Sequence, residues 1–250
     1  LAAAYPGTKP KMYTNARYIK DKIRIYAACL LYLCKGLLGA RYNHNCGKTR
    51  VLVFHHLDKP ALFGKILRIL QRKYNIISFE DYLNGRTNPT KINVIIALDD
   101  GYASWHQTGL PLFKKYAVSP LLFINSGFVV FFFPASHVFY TNNIPTWPEQ
   151  AASWDQIRAL TAAGAEIGGH TDRHVDLTSS ISRHEKSAAI SNDRTNISQP
   201  LGYLPRSFAY PYGRYNQEAI LAAKDAGYSY AFTSDSGFLD ESENYLQLKR

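Results

Sequence analysis

From residue 50 onward, short apolar runs alternate with segments whose apolar residues recur every three or four positions. The short runs predict buried parallel strands, and the periodic segments predict amphipathic helices. The predicted strands are 50–54, 76–77, 92–98, 120–125, 166–169, 207–210, 229–233 and 246–249. The predicted helices are 60–74, 80–83, 110–116, 154–163, 183–196 and 216–226. This alternation predicts right-handed βαβ units and a parallel sheet, open or closed.

The N-terminal part of the chain differs from the rest in charge. Residues 1–50 contain ten Lys and Arg against one acid, Asp21, and so carry +9 of the net charge of +10. The sequence therefore predicts a basic N-terminal arm, residues 1–48, followed by one domain, residues 49–250. A helix is expected at 18–41, but its uninterrupted apolar run, 25–34, is short of the roughly 20 residues that span a bilayer.

Two interpretations of the arm stay open. Its charge favours an anionic partner such as a membrane surface, on which the helix would lie, and hence a location in the cell envelope. Alternatively, the helix packs on the domain and the rest is a solvated tail. A nucleic-acid partner is not expected, because no recognition motif accompanies the charge.

The apolar run 92–98 is followed by two adjacent carboxylates and a glycine, Asp99-Asp100-Gly101. Neighbouring residues at a strand end point in different directions, so one carboxylate can bind a cation while the other accepts a proton. Taken alone, this triplet is more simply explained as a polar turn that ends the strand.

Polar side chains also follow three other predicted strands: His55-His56, His170 with His174, and Tyr212. The carboxyl ends of parallel strands gather on one face, so these groups are expected to converge with the aspartates. His170 and His174 would share one face of a helical turn and suit a single divalent ion. With one carboxylate they predict a hydrolytic metal site, and zinc is the expected ion.

Three segments carry a resemblance to a known family: 97–101 (ALDDG), 170–177 (HTDRHVDL) and 209–213 (AYPYG). They resemble the first three motifs of the polysaccharide deacetylases, carbohydrate esterase family 4 with the NodB-homology domain. Phe54-His55 is similar to an N-terminal element of the poly-N-acetylglucosamine deacetylase branch. The resemblance implies an α/β fold, a distorted (β/α) barrel of six to eight mostly parallel strands.

The same resemblance implies roles for individual residues. Asp100, His170 and His174 would bind the metal, and Asp99 would be the general base. Tyr212 would donate its backbone N–H to the oxyanion, and His55 would be the general acid. His56 is the competing candidate for the last role, since alternation sends the two imidazoles in opposite directions.

The chain departs from the family pattern at three places. Ala209 stands where the family has an arginine, no fourth motif occurs near 234–237, and no late Leu-x-His supplies an acid.

The expected activity is metal-dependent hydrolysis of N-acetyl groups on an N-acetylglucosamine-containing polysaccharide, by attack of metal-bound water on the acetamide. The alternatives are an O-acetyl esterase on the same site and a carbohydrate-binding barrel that has lost turnover. Segment 127–152, rich in aromatic residues, either stacks on sugar rings or packs on the barrel.

Overall fold

The computed structural model describes residues 45–130, 150–242 and 244–250. The predicted arm lies outside the described residues up to position 44, and so does most of the aromatic segment 127–152. Within the described part of the chain, none of the helices combines the length and the apolar character needed to cross a membrane.

The described residues form one sheet of seven strands in which every pairing is parallel. The strands are β1 (Thr49–Phe54), β2 (Asn75–Ile76), β3 (Asn93–Asp100), β4 (Leu121–Ile124), β5 (Glu166–Gly169), β6 (Ser207–Ala209) and β7 (Tyr230–Phe232). Their order in the sheet is β1-β3-β4-β5-β6-β7. The short strand β2 lies outside this order and pairs with β3.

Seven α-helices connect these strands within the described residues. They are α1 (Pro60–Lys73), α2 (Phe79–Leu83), α3 (Leu110–Tyr116), α4 (Ser126–Val130), α5 (Trp154–Ala162), α6 (Arg183–Leu201) and α7 (Gln217–Asp225). A π-helical segment, Trp105–Gly109, precedes α3, and 3₁₀ turns occupy Pro211–Gly213 and Leu239–Glu241.

The central strand β3 is longer than its apolar run. β1 pairs with Asn93 to Leu98 on one side, and β4 pairs with Ala97 to Asp100 on the other. Pairing with β4 therefore extends β3 through both aspartates, which lie opposite Phe123 and Ile124. All eight residues of β3 are buried, as expected for a parallel strand covered on both faces.

The sheet curls around one of its two faces. Val51 of β1, Ala97 of β3 and Phe232 of β7 belong to one buried cluster, although β1 and β7 stand at opposite ends of the strand order. The alternate residues of β3, such as Ile96 and Leu98, pack in a second cluster with helix residues such as Leu67 of α1. The prediction of a distorted (β/α) barrel with six to eight strands is confirmed.

Residues 238–242 and 244–250 lie against both edge strands of the curled sheet. Asp240 Oδ2 accepts a hydrogen bond of 2.7 Å from the amide of Thr49 in β1. Leu248 forms a parallel bridge with Phe232 of β7. The strand predicted at 246–249 is thus reduced to a single bridge, and the segment leads Arg250 towards the carboxyl end of β3.

Candidate active site

Three predicted metal ligands come together at the carboxyl ends of β3 and β5. Asp100 ends β3, whereas His170 and His174 follow β5, and their candidate ligand atoms all lie within 4.8 Å of one another. Asp100 Oδ1 is 3.5 Å from His170 Nε2 and 3.4 Å from His174 Nε2. Two ligand atoms that each lie about 2.1 Å from a tetrahedral ion are separated by roughly 3.4 Å, so these two distances are compatible with one shared ion.

The donor chemistry of these three groups also fits a cation. His170 Nδ1 lies 2.7 Å from the carbonyl oxygen of Ala209, which can only accept, so Nδ1 carries the proton and the Nε2 lone pair faces Asp100. Asp100 Oδ1 is buried and has no hydrogen-bond partner among the described residues. Lone pairs therefore converge on a small buried space in which a positive ion would satisfy them.

Burial keeps both imidazoles in the form that binds metals. It lowers the pKa of His170, although the charges of Asp99 and Asp100 act in the opposite direction. It lowers the pKa of His174 to about 4, again against the charge of Asp100. Both imidazoles are therefore neutral near pH 7 and offer lone pairs without first losing a proton.

The backbone at the site is strained. Of the five non-glycine residues with positive φ in the described chain, four lie here: Asp100 (91°), Thr171 (61°), His174 (53°) and Tyr212 (59°). The left-handed conformations of Thr171 and His174 exclude the helical turn on which the sequence prediction placed the histidine pair. The two rings approach each other instead across an irregular turn, with centroids 4.9 Å apart. Strain of this kind is typical of active sites.

Asp99, the predicted general base, is paired with an arginine that the sequence analysis did not identify. Arg250 Nη1 lies 2.9 Å from Asp99 Oδ1, and Nη2 lies 2.8 Å from Oδ2; both side chains are 5% exposed. Arg250 Nε also donates to the carbonyl oxygen of Thr233 at 2.5 Å. Burial raises the pKa of Asp99, but the Arg250 guanidinium, with smaller effects from His170 and His55, outweighs it, so the pKa of Asp99 is lowered.

Arg250 lies on the face of the sheet to which Ala209 also belongs. Ala209, Ala97 and Phe123 are members of the same buried cluster, and the Arg250 guanidinium carbon is 5.8 Å from the Phe123 ring centroid. Ala209 leaves the chain without an arginine at this position, and the only signal in the sequence for a replacement is a positive charge 41 positions later, which no local pattern connects to Asp99.

The two candidate acids occupy different surroundings. His55 directly follows β1, is exposed, and is close enough for its charge to lower the pKa of both Asp99 and His174. The backbone carbonyl oxygen of His55 accepts a hydrogen bond of 2.7 Å from Trp105 Nε1. His56 Nε2 lies 3.7 Å from Asp58 Oδ1 instead, and its ring centroid is 5.8 Å from that of Tyr102.

Tyr212 occupies the 3₁₀ turn that follows β6. Its ring centroid is 4.4 Å from that of His174, and the residue is 53% exposed. The guanidinium of Arg214 lies 5.7 Å from the Tyr212 ring and pairs with Asp176 at 2.6 Å. The structure therefore brings the Tyr212 turn beside the histidine pair, within one rim that also includes Asp99, Asp100 and His55.

A family model described as polysaccharide deacetylase matches residues 86–231, more than half of the chain. This range includes the two aspartates, both histidines of the 170–174 turn and Tyr212, but neither His55 nor Arg250. The curated relative YxkH of Bacillus subtilis is 22% identical over 162 residues, which cover 65% of this chain and 52% of that protein. The chain thus spans about half the length of this relative.

Two solved structures share the fold. The Streptococcus pyogenes deacetylase PplD, solved in complex with acetate, is 20% identical, with a TM-score of 0.66 over 81% of this chain and 91% of its own. IcaB from Ammonifex degensii is 21% identical, with a TM-score of 0.68 over 81% of this chain and 90% of its own.

Proposed function

The chain belongs to the polysaccharide deacetylase family, and we propose that it is a metal-dependent hydrolase that removes N-acetyl groups from an N-acetylglucosamine-containing polysaccharide. The observation that carries the proposal is the convergence of Asp100, His170 and His174 beside Asp99, whose carboxylate is paired with Arg250. A site with this ligand set leaves coordination positions open for water and substrate, as hydrolytic metal sites do.

Asp100, His170 and His174 would hold the ion. One divalent ion, with zinc as the favoured identity, would act as a Lewis acid that lowers the pKa of water and polarises the acetyl carbonyl. The two neutral imidazoles and the Asp100 carboxylate supply the lone pairs that such an ion requires.

The remaining roles fall to groups around this ligand set. Asp99 takes a proton from the water whose oxygen attacks the carbonyl carbon, and its lowered pKa keeps it ionised for this task near neutral pH. The backbone N–H of Tyr212 donates to the carbonyl oxygen as that atom gains negative charge. His55 then donates a proton to the nitrogen as the C–N bond breaks, which leaves acetate and a free amine on the polymer.

We also propose that the basic arm, residues 1–48, attaches this activity to an anionic surface such as a membrane leaflet of the cell envelope. Its support is the charge imbalance of residues 1–50, ten basic residues against one acid.

The activity is tested by measuring acetate released from N-acetylglucosamine oligomers and from acetylated xylan, with and without a chelator. Chelator-sensitive release from the oligomers is expected. Release from xylan alone would instead make the protein an O-acetyl esterase. No release from either substrate by the zinc-loaded protein would contradict the proposed activity.

A further inference from the structure

The turn that carries both histidine ligands is held by side chains from outside it. Asn125, the first residue after β4, donates through Nδ2 to the carbonyl oxygens of His170 (2.6 Å) and Thr171 (3.0 Å). Asp193 of α6 accepts through Oδ2 from the backbone amide of His170 at 2.7 Å. The peptide groups on either side of His170 are therefore each fixed by a side chain from another part of the chain.

Asp193 also joins this turn to the neighbouring strand. Its second oxygen, Oδ1, accepts from the backbone amide of Ser126 at 2.8 Å. One carboxylate thus binds the chain just after β4 and just after β5. Asn125 and Asp193, which we call the anchor pair, are both fully buried.

The turn needs external support because its backbone is strained. Thr171 is β-branched and buried, yet its φ is 61°, a conformation that such residues rarely adopt. Two further hydrogen bonds act on Asp172: its amide donates to Ala189 O at 3.0 Å, and its carbonyl oxygen accepts from Gly127 N at 2.9 Å. Backbone groups make these two bonds, so a side-chain substitution does not remove them. The bonds of the anchor pair come from side chains, so a substitution can remove them.

We propose that Asn125 and Asp193 are positioning residues that hold His170 and His174 in the geometry required for binding the divalent ion. This inference rests on the proposed function, since it assigns the purpose of the turn to metal binding. Neither residue touches the candidate ligand atoms; both act on the backbone of His170 or Thr171, and outer partners of this kind typically change metal affinity when they are removed.

The chain contains a matched control at the opposite end of β3. Asn93 is also fully buried, and its Nδ2 also donates to two backbone carbonyl oxygens, those of Gly47 and Asn88, both at 3.1 Å. It contacts none of the candidate ligands. Replacing Asn93 removes the same kind of bonds, and two more that its Oδ1 accepts, so it separates a general loss of stability from an effect on the metal site.

The test is titration of the chelated full chain with zinc chloride by calorimetry, combined with thermal unfolding. The variants are Asn125→Ala, Asp193→Asn and the control Asn93→Ala. Asp193→Asn keeps the shape but turns an NH₂ group towards one of the two backbone amides. Asn125→Ala and Asp193→Asn are expected to weaken zinc binding by about 10- to 100-fold. Asn93→Ala should lower the unfolding temperature while its zinc affinity stays within about threefold of wild type, well below that range.

The outcomes separate this inference from the proposed function. Wild-type affinity in both anchor-pair variants, or an equal loss in Asn93→Ala, would overturn the positioning role alone. A wild-type chain that binds no zinc would overturn the proposed metal site, and the positioning role with it. If Asn125→Ala does not fold, Asp193→Asn decides the question.

Discussion

The guanidinium of Arg250 meets the carboxylate of Asp99 at two points, Nη1–Oδ1 at 2.9 Å and Nη2–Oδ2 at 2.8 Å, and both side chains are buried. Planar two-point pairing of this kind fixes the orientation of a carboxylate as well as its charge. The candidate base is thus oriented by a residue 151 positions away in the sequence.

Arg250→Ala is expected to lower both stability and activity. It leaves a buried carboxylate without its cation, which typically costs about 3–5 kcal/mol of unfolding free energy. Arg250 lowers the pKa of Asp99 whereas burial raises it, so the pKa rises when Arg250 is removed. The acid limb of the kcat/KM profile for acetate release should therefore move to higher pH. An unchanged acid limb would contradict the assignment of Asp99 as the base.

An arginine introduced at position 209 should compensate for that loss. Ala209 and Ala97 share one buried cluster, and the guanidinium of Arg250 lies near Phe123 of the same cluster. The double variant Ala209→Arg/Arg250→Ala is expected to regain part of the activity, with Ala209→Arg alone as the control. Activity no higher than that of Arg250→Ala would show that position 209 cannot reach Asp99.

Asp100→Asn should abolish stoichiometric zinc binding and reduce acetate release to background, because the amide is neutral and a weaker ligand than a carboxylate. The metal content of the purified variant measures this directly. Asp176→Asn is the control, since this nearby carboxylate pairs with Arg214 rather than with the histidines. Full zinc content in Asp100→Asn would remove Asp100 from the ligand set.

His55→Ala is expected to reduce kcat on acetylated amino-sugar oligomers by about 10²–10⁴-fold, the usual contribution of general acid–base catalysis. Zinc content should not change. The loss should be much smaller with p-nitrophenyl acetate, whose leaving group departs without a proton. His56→Ala is the matched control, and a larger loss in that variant would transfer the role to His56.

Acidification should destabilise the metal-free protein between about pH 6.5 and pH 4. In the unfolded chain His174 takes up a proton near pH 6.5, whereas in the folded chain burial lowers its pKa to about 4. The unfolding free energy should therefore fall as the pH drops through this window, by on the order of 3 kcal/mol from this residue. Denaturant unfolding of the chelated protein measures the slope, which His174→Asn should reduce and His184→Asn, at an exposed position, should not.

Removal of residues 1–44 should leave acetate release unchanged and weaken binding to phosphatidylglycerol vesicles. This segment contains eight Lys and Arg against one acid. Binding to neutral phosphatidylcholine vesicles, measured by co-sedimentation, should be weak with or without the segment. Equal binding of both forms of the protein to the anionic vesicles would contradict a membrane role for the arm.

The sequence predicts the elements whose signal is local. The unbroken apolar run 92–98 corresponds to β3, and the predicted helix 154–163 corresponds to α5, where Ser153 and Gln156 form a capping box. The prediction for α6 ended at Asn196, but the helix continues to Leu201, because Ile197 is fully buried and packs in the cluster that includes Leu67 of α1. Such packing depends on distant residues and leaves no local pattern.

The residues of the site also divide into those with a local sequence signal and those whose contacts depend on distant residues. His170 and His174 are recognisable because metal ligands require particular residue types at a particular spacing. Their turn was predicted wrongly as helical, since the positive φ of Thr171 depends on hydrogen bonds from Asn125 and α6. Asn125, Asp193 and Arg250 have no distinctive sequence neighbours, and their contacts exist only in the folded chain.

The separation of the ligands along the chain determines when the ion can be captured. Asp100 ends β3 and His170 follows β5, 70 residues later, so the two meet only after β4 has paired with both of these strands. Such non-local parallel pairing is slow, because the entropy of closing long loops is lost before the contacts form. A divalent ion held by these residues would therefore enter a barrel that is already assembled, unlike the ion of a zinc finger, whose binding drives folding. Such an ion would slow the unfolding of the protein, while the rate of refolding would be set by the pairing of the sheet.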